Sequence, residues 1–406
     1  MAFGATWFAF VALAQLRLTE IEGEWSSGFA LLALGGGLTF VAAATLAGGT
    51  APARGTISLD EEALRARRLV FAALVLLVAG VAGAAYKADV LGGIPLLSEN
   101  PDRVRGRAFF GGDTALPAWS SALTGGFYLS MWCTLTALWV LRGRTTKPRA
   151  ALLWALAAAA LFGVSLEASR NLIAFAVAVP AIGAYLLARP RGSRSQLAWV
   201  AVGLGVAALA MGGLFALRLA RGDGAARAYV ELEAERQPAA VKPLVPAYVN
   251  GVLPLEAARR MYESLPERFS YGRGADSLTS LPDRAFPEGK AKYGNKVALL
   301  MGLGQRQDAQ ITWSVASYQG RLLADLGWRG VMLGSALLGL LFGSLHRWAR
   351  ARRGLLPVAV VAFAAYYSAY MLYDNQLSFS LIAGFDLAVL ALVGAFASGR
   401  LGRRPA

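Results

Sequence analysis

Cysteine and histidine are almost missing from this chain, which holds one of each in 406 residues. With Cys133 alone no intrachain disulfide can form, and thiol usage says nothing about the redox compartment. His346 stands beside Arg347 and Arg350, so a zinc site of His and Cys ligands is excluded, as is an outward-facing Ser-His-Asp triad. Charge is scarce as well. Asp, Glu, Lys and Arg make up 16% of the residues against 56% apolar ones, below the charged share and above the apolar share of a soluble domain. No Walker motif is present, Gly302-Leu303-Gly304 does not continue into a dinucleotide fingerprint, and no repeat of solenoid period recurs.

What is there in quantity is apolar runs of membrane length. A spanning helix needs about 20 apolar residues. Ten segments approach this, at 2–16, 27–48, 67–86, 116–141, 150–167, 171–188, 196–217, 328–346, 355–373 and 379–398. The first is short and lacks a basic start; although Ala12-Leu13-Ala14 imitates a cleavage site, it reads as a short helix. The expected fold is therefore all-α, a polytopic bundle of about ten transmembrane helices. One large extracytoplasmic loop separates the seventh helix from the eighth. Three parts follow: helices over 1–218 with an outer loop near 87–115, the large loop over 219–327, and the last helices over 328–406.

The net charge of +15 sits in short clusters between the apolar runs, not in a stripe with interleaved aromatics, so nucleic acid is not an expected partner. Arg54, Arg65, Arg67 and Arg68 form one cluster; Arg142, Arg144, Lys147 and Arg149 the next; Arg189, Arg191 and Arg194 a third. Arg347, Arg350, Arg352 and Arg353, then Arg400, Arg403 and Arg404, complete the set. The intervening loops are acidic or balanced, as at Glu20, Glu22 and Glu24 or Asp374-Asn375-Gln376. By the positive-inside rule the basic clusters and both termini face the cytoplasm, and the long polar run faces out. Gly330-x-x-x-Gly334 and Gly339-x-x-x-Gly343 have the spacing that lets helix backbones approach within a membrane.

On the outward side, Gly92-Gly93-Ile94-Pro95-Leu96-Leu97 is too short to span and too apolar for open water, which places it at the interface. In the long run, 225–237 and 255–265 read as helices, Tyr271-Gly272-Arg273-Gly274 breaks the pattern, and Pro282 and Pro287 keep the next part irregular. Few aliphatic clusters occur there, so the run is expected to fold back over the helices as a lid.

Glu167 and Arg170 flank a tight turn at the expected outer boundary, where an ionised group costs free energy unless paired or used. They read either as an i,i+3 pair with interfacial snorkelling or as part of an anion clamp, since guanidinium offers a planar fork of donors to phosphate oxygens. Arg218, Arg221, Arg321 and Arg103 share that predicted depth. With no outward histidine, a general base falls to a carboxylate: Asp325 first, four residues after Arg321, then Glu167 and Asp276. Each also reads as a structural salt-bridge partner. Asp386 is an intramembrane acid, functional or a helix-to-helix hydrogen bond. Tyr366, Tyr367, Tyr370 and Tyr373 fit an aromatic belt. No metal ligand set and no cofactor motif is evident.

These pieces, in their order, resemble the oligosaccharide repeat unit polymerase (O-antigen polymerase-like) family of integral membrane glycosyltransferases. The matching stretches are Gly92 to Leu96, Ser169-Arg170-Asn171, Tyr248 to Leu278 with Tyr271-Gly272-Arg273-Gly274, and Leu323 to Gly330 ahead of a Gly-rich helix. The resemblance implies a polysaccharide polymerase of the bacterial cell envelope, working at the outer face of the cytoplasmic membrane. Its substrates would be oligosaccharide repeat units linked to undecaprenyl pyrophosphate. Since the sequence shows no evident tightly held metal, a metal-independent reaction without a cofactor is expected. The resemblance also implies contact with membrane lipids and with a chain-length regulator or flippase. It supports Arg170 and Asp325 as site positions, and adds Tyr271 and Arg273 as glycan or pyrophosphate contacts. Related ligases often use an outward histidine as base; this chain has none, which leaves the base open. The rival readings are an O-antigen ligase-like or peptidoglycan-type glycan transferase, and a lipid-linked oligosaccharide transporter or flippase.

Overall fold

The structure, a computed structural model, describes residues 7–8, 11–12, 14–15, 23–49, 65–98, 104, 116–141, 145–167, 170–188, 235–238, 245–265, 271, 317–351, 355–370 and 380–398. Among these residues the regular structure is all helical: α1 (Ser27–Gly48), α2 (Ala66–Leu91), α3 (Ala118–Thr124), α4 (Gly126–Val140), α5 (Lys147–Leu166), α6 (Arg170–Ala188), α7 (Val245–Ser264), α8 (Ser317–Arg350), α9 (Leu355–Tyr370) and α10 (Ser380–Ala397). Five stretches among them are long and apolar enough to cross a membrane: α1, α2, α3 with α4, α5 and α8. Helix is the state such sequences must adopt, because in hydrocarbon every peptide N–H and C=O has to be satisfied within its own segment. The expected span at 196–217 lies outside the described residues, as does most of the one at 2–16.

The chain forms two compact units. The first comprises Met1–Pro52, Gly224–Arg347 and Tyr367–Leu381. In it α1 starts at Ser26, whose Oγ accepts the Phe29 N–H at 3.2 Å, an N-cap that satisfies one orphan donor. Gly339 and Gly343 of α8 lie against α1 so closely that a Cβ at either would strike the carbonyl oxygen of Phe40 or Ala44. Small residues give two membrane helices their contact area here, where lipid leaves no hydrophobic drive.

The departure from expectation is in α8. The apolar pattern starts a span at 328, but the helix starts at Ser317 and breaks at Gly327, whose φ of 67° is left-handed. At that residue the chain reverses. Leu322 and Gly334 would be about 18 Å apart in a straight helix, yet a Cβ at Gly334 would stand 2.6 Å from Leu322 Cδ1. Ser335 Oγ donates to the Tyr318 hydroxyl at 3.1 Å across what would be about 25 Å of continuous helix. So Ser317 to Leu326 is a short arm folded back along the first turns of the long arm, and Gly330 and Gly334 receive this arm rather than another helix. Gln319 Nε2 and Trp7 Nε1 both donate to the Ala33 carbonyl at 3.1 Å, which ties the arm to α1.

The helix expected at 255–265 starts at Val245 instead, with Pro254 inside it. Its C-terminal half docks on the start of α1. Glu256 accepts the Gly23 N–H at 3.4 Å, and Tyr262 packs against Phe29 with ring centroids 5.9 Å apart. This described part of the long polar run thus packs on the end of α1.

The second unit comprises Ala53–Asp223, Trp348–Tyr366 and Ile382–Ala406. Its centre is α4, buried along most of its length. The expected 116–141 span is two helices meeting at Gly125, and Gly126 sits against the Leu76 carbonyl of α2. Ser130 Oγ donates to the Ala73 carbonyl at 2.7 Å, Phe127 fills the space over Gly80 and Gly163, and Trp132 that over Gly183. Arg68 of the first basic cluster has a structural task. Its Nη1 donates to the Phe396 carbonyl at 2.7 Å, and the Arg65 N–H reaches that of Ala397 at 3.0 Å, so the end of α2 caps the C-terminus of α10.

Candidate functional site

In the second unit, α5 ends at Glu167 and α2 brings Lys87 to it. Lys87 Nζ donates to Glu167 Oε1 and to Thr124 Oγ1, each at 2.9 Å. The two charged side chains are 12% and 21% exposed, too buried for an ordinary surface pair. With Ala84, Ala88, Leu91, Ile94, Pro95 and Leu166 they line a small cavity closed by the 3₁₀ turn Pro95–Leu97, the stretch expected at the interface. The chain reaches that turn through Gly92, left-handed at φ 69°. Glu167 therefore takes Lys87 as its ion-pair partner. Arg170 opens α6 three residues on, and its side chain lies outside the described set. Lys87 and Thr124 were not among the sequence candidates. The signal was there: a lone lysine near the end of an apolar helix has to be answered by something.

In the first unit, the short arm of α8 carries Arg321 and Asp325 one helical turn apart. Arg321 is 5% exposed and Asp325 1%, so both charges are removed from solvent on an arm whose other end is fixed through Tyr318 and Gln319. Tyr271 stands at the reversal, its hydroxyl 3.1 Å from where a Cβ of Gly327 would lie, and it is itself exposed. Trp328, with Arg329 over its ring at 5.6 Å, projects next to it.

A second buried charge cluster in this unit is structural. Glu256, on α7, receives Arg259 at 2.7 and 2.8 Å and Arg260 at 2.7 Å, and Arg259 also pairs with Glu263 at 2.6 Å. The hydrogen bonds from Glu256 hold Arg259 above its already high value, against the lowering effect of burial, so the guanidinium stays charged. Every oxygen of Glu256 is in use, which suits an anchor better than a reactive group.

Arg103, Arg218, Arg221, Arg273 and Asp276 lie outside the described residues. Of the remaining candidates, Asp325 and Arg321 share one arm with Tyr271 at its bend, and Glu167 shares a cavity wall with Lys87 just ahead of Arg170. Among the described residues no three His, Cys, Asp or Glu side chains converge as metal ligands. Asp386, on α10, accepts a hydrogen bond from the Tyr128 hydroxyl of α4. Compared with protein-family models, with curated proteins and with solved structures, the chain matches none.

Proposed function

We propose that this chain is a membrane glycosyltransferase that polymerises undecaprenyl-pyrophosphate-linked oligosaccharide repeat units into a surface polysaccharide. In this reading about ten helices span the bacterial cytoplasmic membrane, both termini lie inside, and the chemistry occurs at the outer face. The observation that carries it is the short arm of α8, which holds a guanidinium and a carboxylate nearly free of solvent at the expected outer boundary. Such an arm is tolerated in a membrane where it is buried in protein or lines a watered cavity.

The acceptor sugar hydroxyl attacks the anomeric carbon of the donor, and the bond from that carbon to the pyrophosphate oxygen breaks. The pyrophosphate leaves with the electron pair. Arg321 and Arg170 neutralise its charge, with Arg103, Arg218, Arg221 and Arg273 as further contacts and Tyr271 against the glycan. The hydroxyl proton passes to a carboxylate, Asp325 or Glu167. Because the leaving group is already good, most of the acceleration comes from holding two lipid-linked substrates in register.

The test is the chain-length distribution of surface glycan in cells with wild type, Arg170→Ala or Arg321→Ala at equal membrane abundance. Long chains in wild type and single repeat units in both variants are expected; long chains in both variants remove the arginine clamp. A transporter or flippase is the second reading, favoured by the Asp386 and Tyr128 contact inside the bundle. It is selected if deletion of the protein leaves chain length unchanged but stops the lipid-linked precursor reaching the outer leaflet.

A further inference from the structure

The carboxyl of Asp386 is 1% exposed on α10. It lies ten residues before Phe396, whose carbonyl is held by Arg68 at the basic end of α2. Ten residues of helix are about 15 Å, half of the roughly 30 Å hydrocarbon core. Tyr128 donates to Oδ2, while Oδ1 is buried with no hydrogen-bond partner among the described residues. Among the described residues no lysine or arginine forms an ion pair with Asp386. Among the described residues the titratable group on Asp386 is Tyr128 from α4, and Tyr366 of α9 packs with Tyr128 on Phe175 of α6; α2 has charges only at its ends, at Arg67, Arg68, Lys87 and Asp89, and α6 only at Arg170.

Beside this pair is a small cavity lined by Tyr128, Trp132, Phe175, Ala176, Pro180 and Phe363, with about 10 Å³ of free space, room for one water. Two groups point to a polar occupant. Trp132 Nε1 is a buried donor with no partner among the described residues. Pro180, inside α6, lacks the N–H that would bind the Ala176 carbonyl, and both residues line the cavity.

We infer that Asp386, Tyr128 and Trp132 build a hydrated proton-binding site at the middle of the helix bundle. The proton neutralises Asp386, a water bridges Trp132 Nε1 and the Ala176 carbonyl to the Tyr128 hydroxyl, and this water is the route by which the proton exchanges. Proton occupancy thereby controls the contact between α4 and α10. The site stands whether or not the chain transfers sugars.

The test is infrared spectroscopy of the full chain, with aspartate labelled by ¹³C at the side-chain carboxyl, in an ester-free detergent at pH 7. The expected result is a protonated-carboxyl band that shifts in D₂O, disappears in a folded Asp386→Asn variant, and rises in frequency in Tyr128→Phe. Should Asp386→Asn not fold, the shift in Tyr128→Phe assigns the band. Absence of the band, or its survival in Asp386→Asn, overturns the proton site; a band that D₂O leaves unmoved overturns the hydration.

Discussion

A lysine set into the end of an apolar helix loses hydration that only a partner can replace, and at Lys87 the partners are Glu167 and Thr124. Lys87→Met strands the Glu167 carboxylate in a largely apolar wall, at a cost of about 1–3 kcal/mol. Thermal unfolding in detergent measures it, and a Lys87→Met, Glu167→Gln double variant is expected to recover most of the loss. Additive losses instead would mean that the pair contributes nothing. Glu167, Asp325 and Asp386 were all legible as boundary or intramembrane carboxylates, because acid in an apolar context stands out in any local window. Their surroundings were not. Lys87 lies 80 residues from Glu167 and Tyr128 lies 258 residues from Asp386, separations that leave no mark on a pattern.

At the scale of the element, α8 is a hinged pair of arms rather than a straight span. The chain has one native thiol, Cys133, which is buried, so introduced cysteines can be read cleanly. Leu322 Cγ lies 3.2 Å from a Cβ at Gly334, about where a cysteine sulfur would sit. Leu322→Cys with Gly334→Cys is therefore expected to form an intrachain disulfide under mild oxidant in membranes. A continuous helix keeps those positions about 18 Å apart, and failure to cross-link would remove the fold-back. Hydropathy located the long arm because Gly330 onward is apolar for a full crossing. It missed the short arm because ten residues are too few to span, and because Gly327 reads equally as a helix start and as a left-handed reversal. In α7 the pattern located 255–265 but not the turns from Val245 on, since Pro254 lies inside the helix, and Glu256 and Tyr262 dock its later half on the start of α1.

At the scale of the whole molecule, the proposed topology puts the basic clusters inside and the long polar run outside. In a Cys133→Ser background, Glu235→Cys is expected to react with a membrane-impermeant thiol reagent in intact cells, and Ala351→Cys only after permeabilisation; both positions are exposed. The reverse pattern would invert the topology and with it the outward site. Helical state and the presence of apolar stretches of membrane length follow from hydropathy, which is summed locally and needs no partner to be read. Which surfaces meet does not follow from such sums. Gly339 and Gly343 receive α1 while Gly330 and Gly334, identically spaced, receive their own helix's short arm. In an apolar phase, close packing and polar contacts choose among many equally greasy faces, and those choices exist only once the chain is folded.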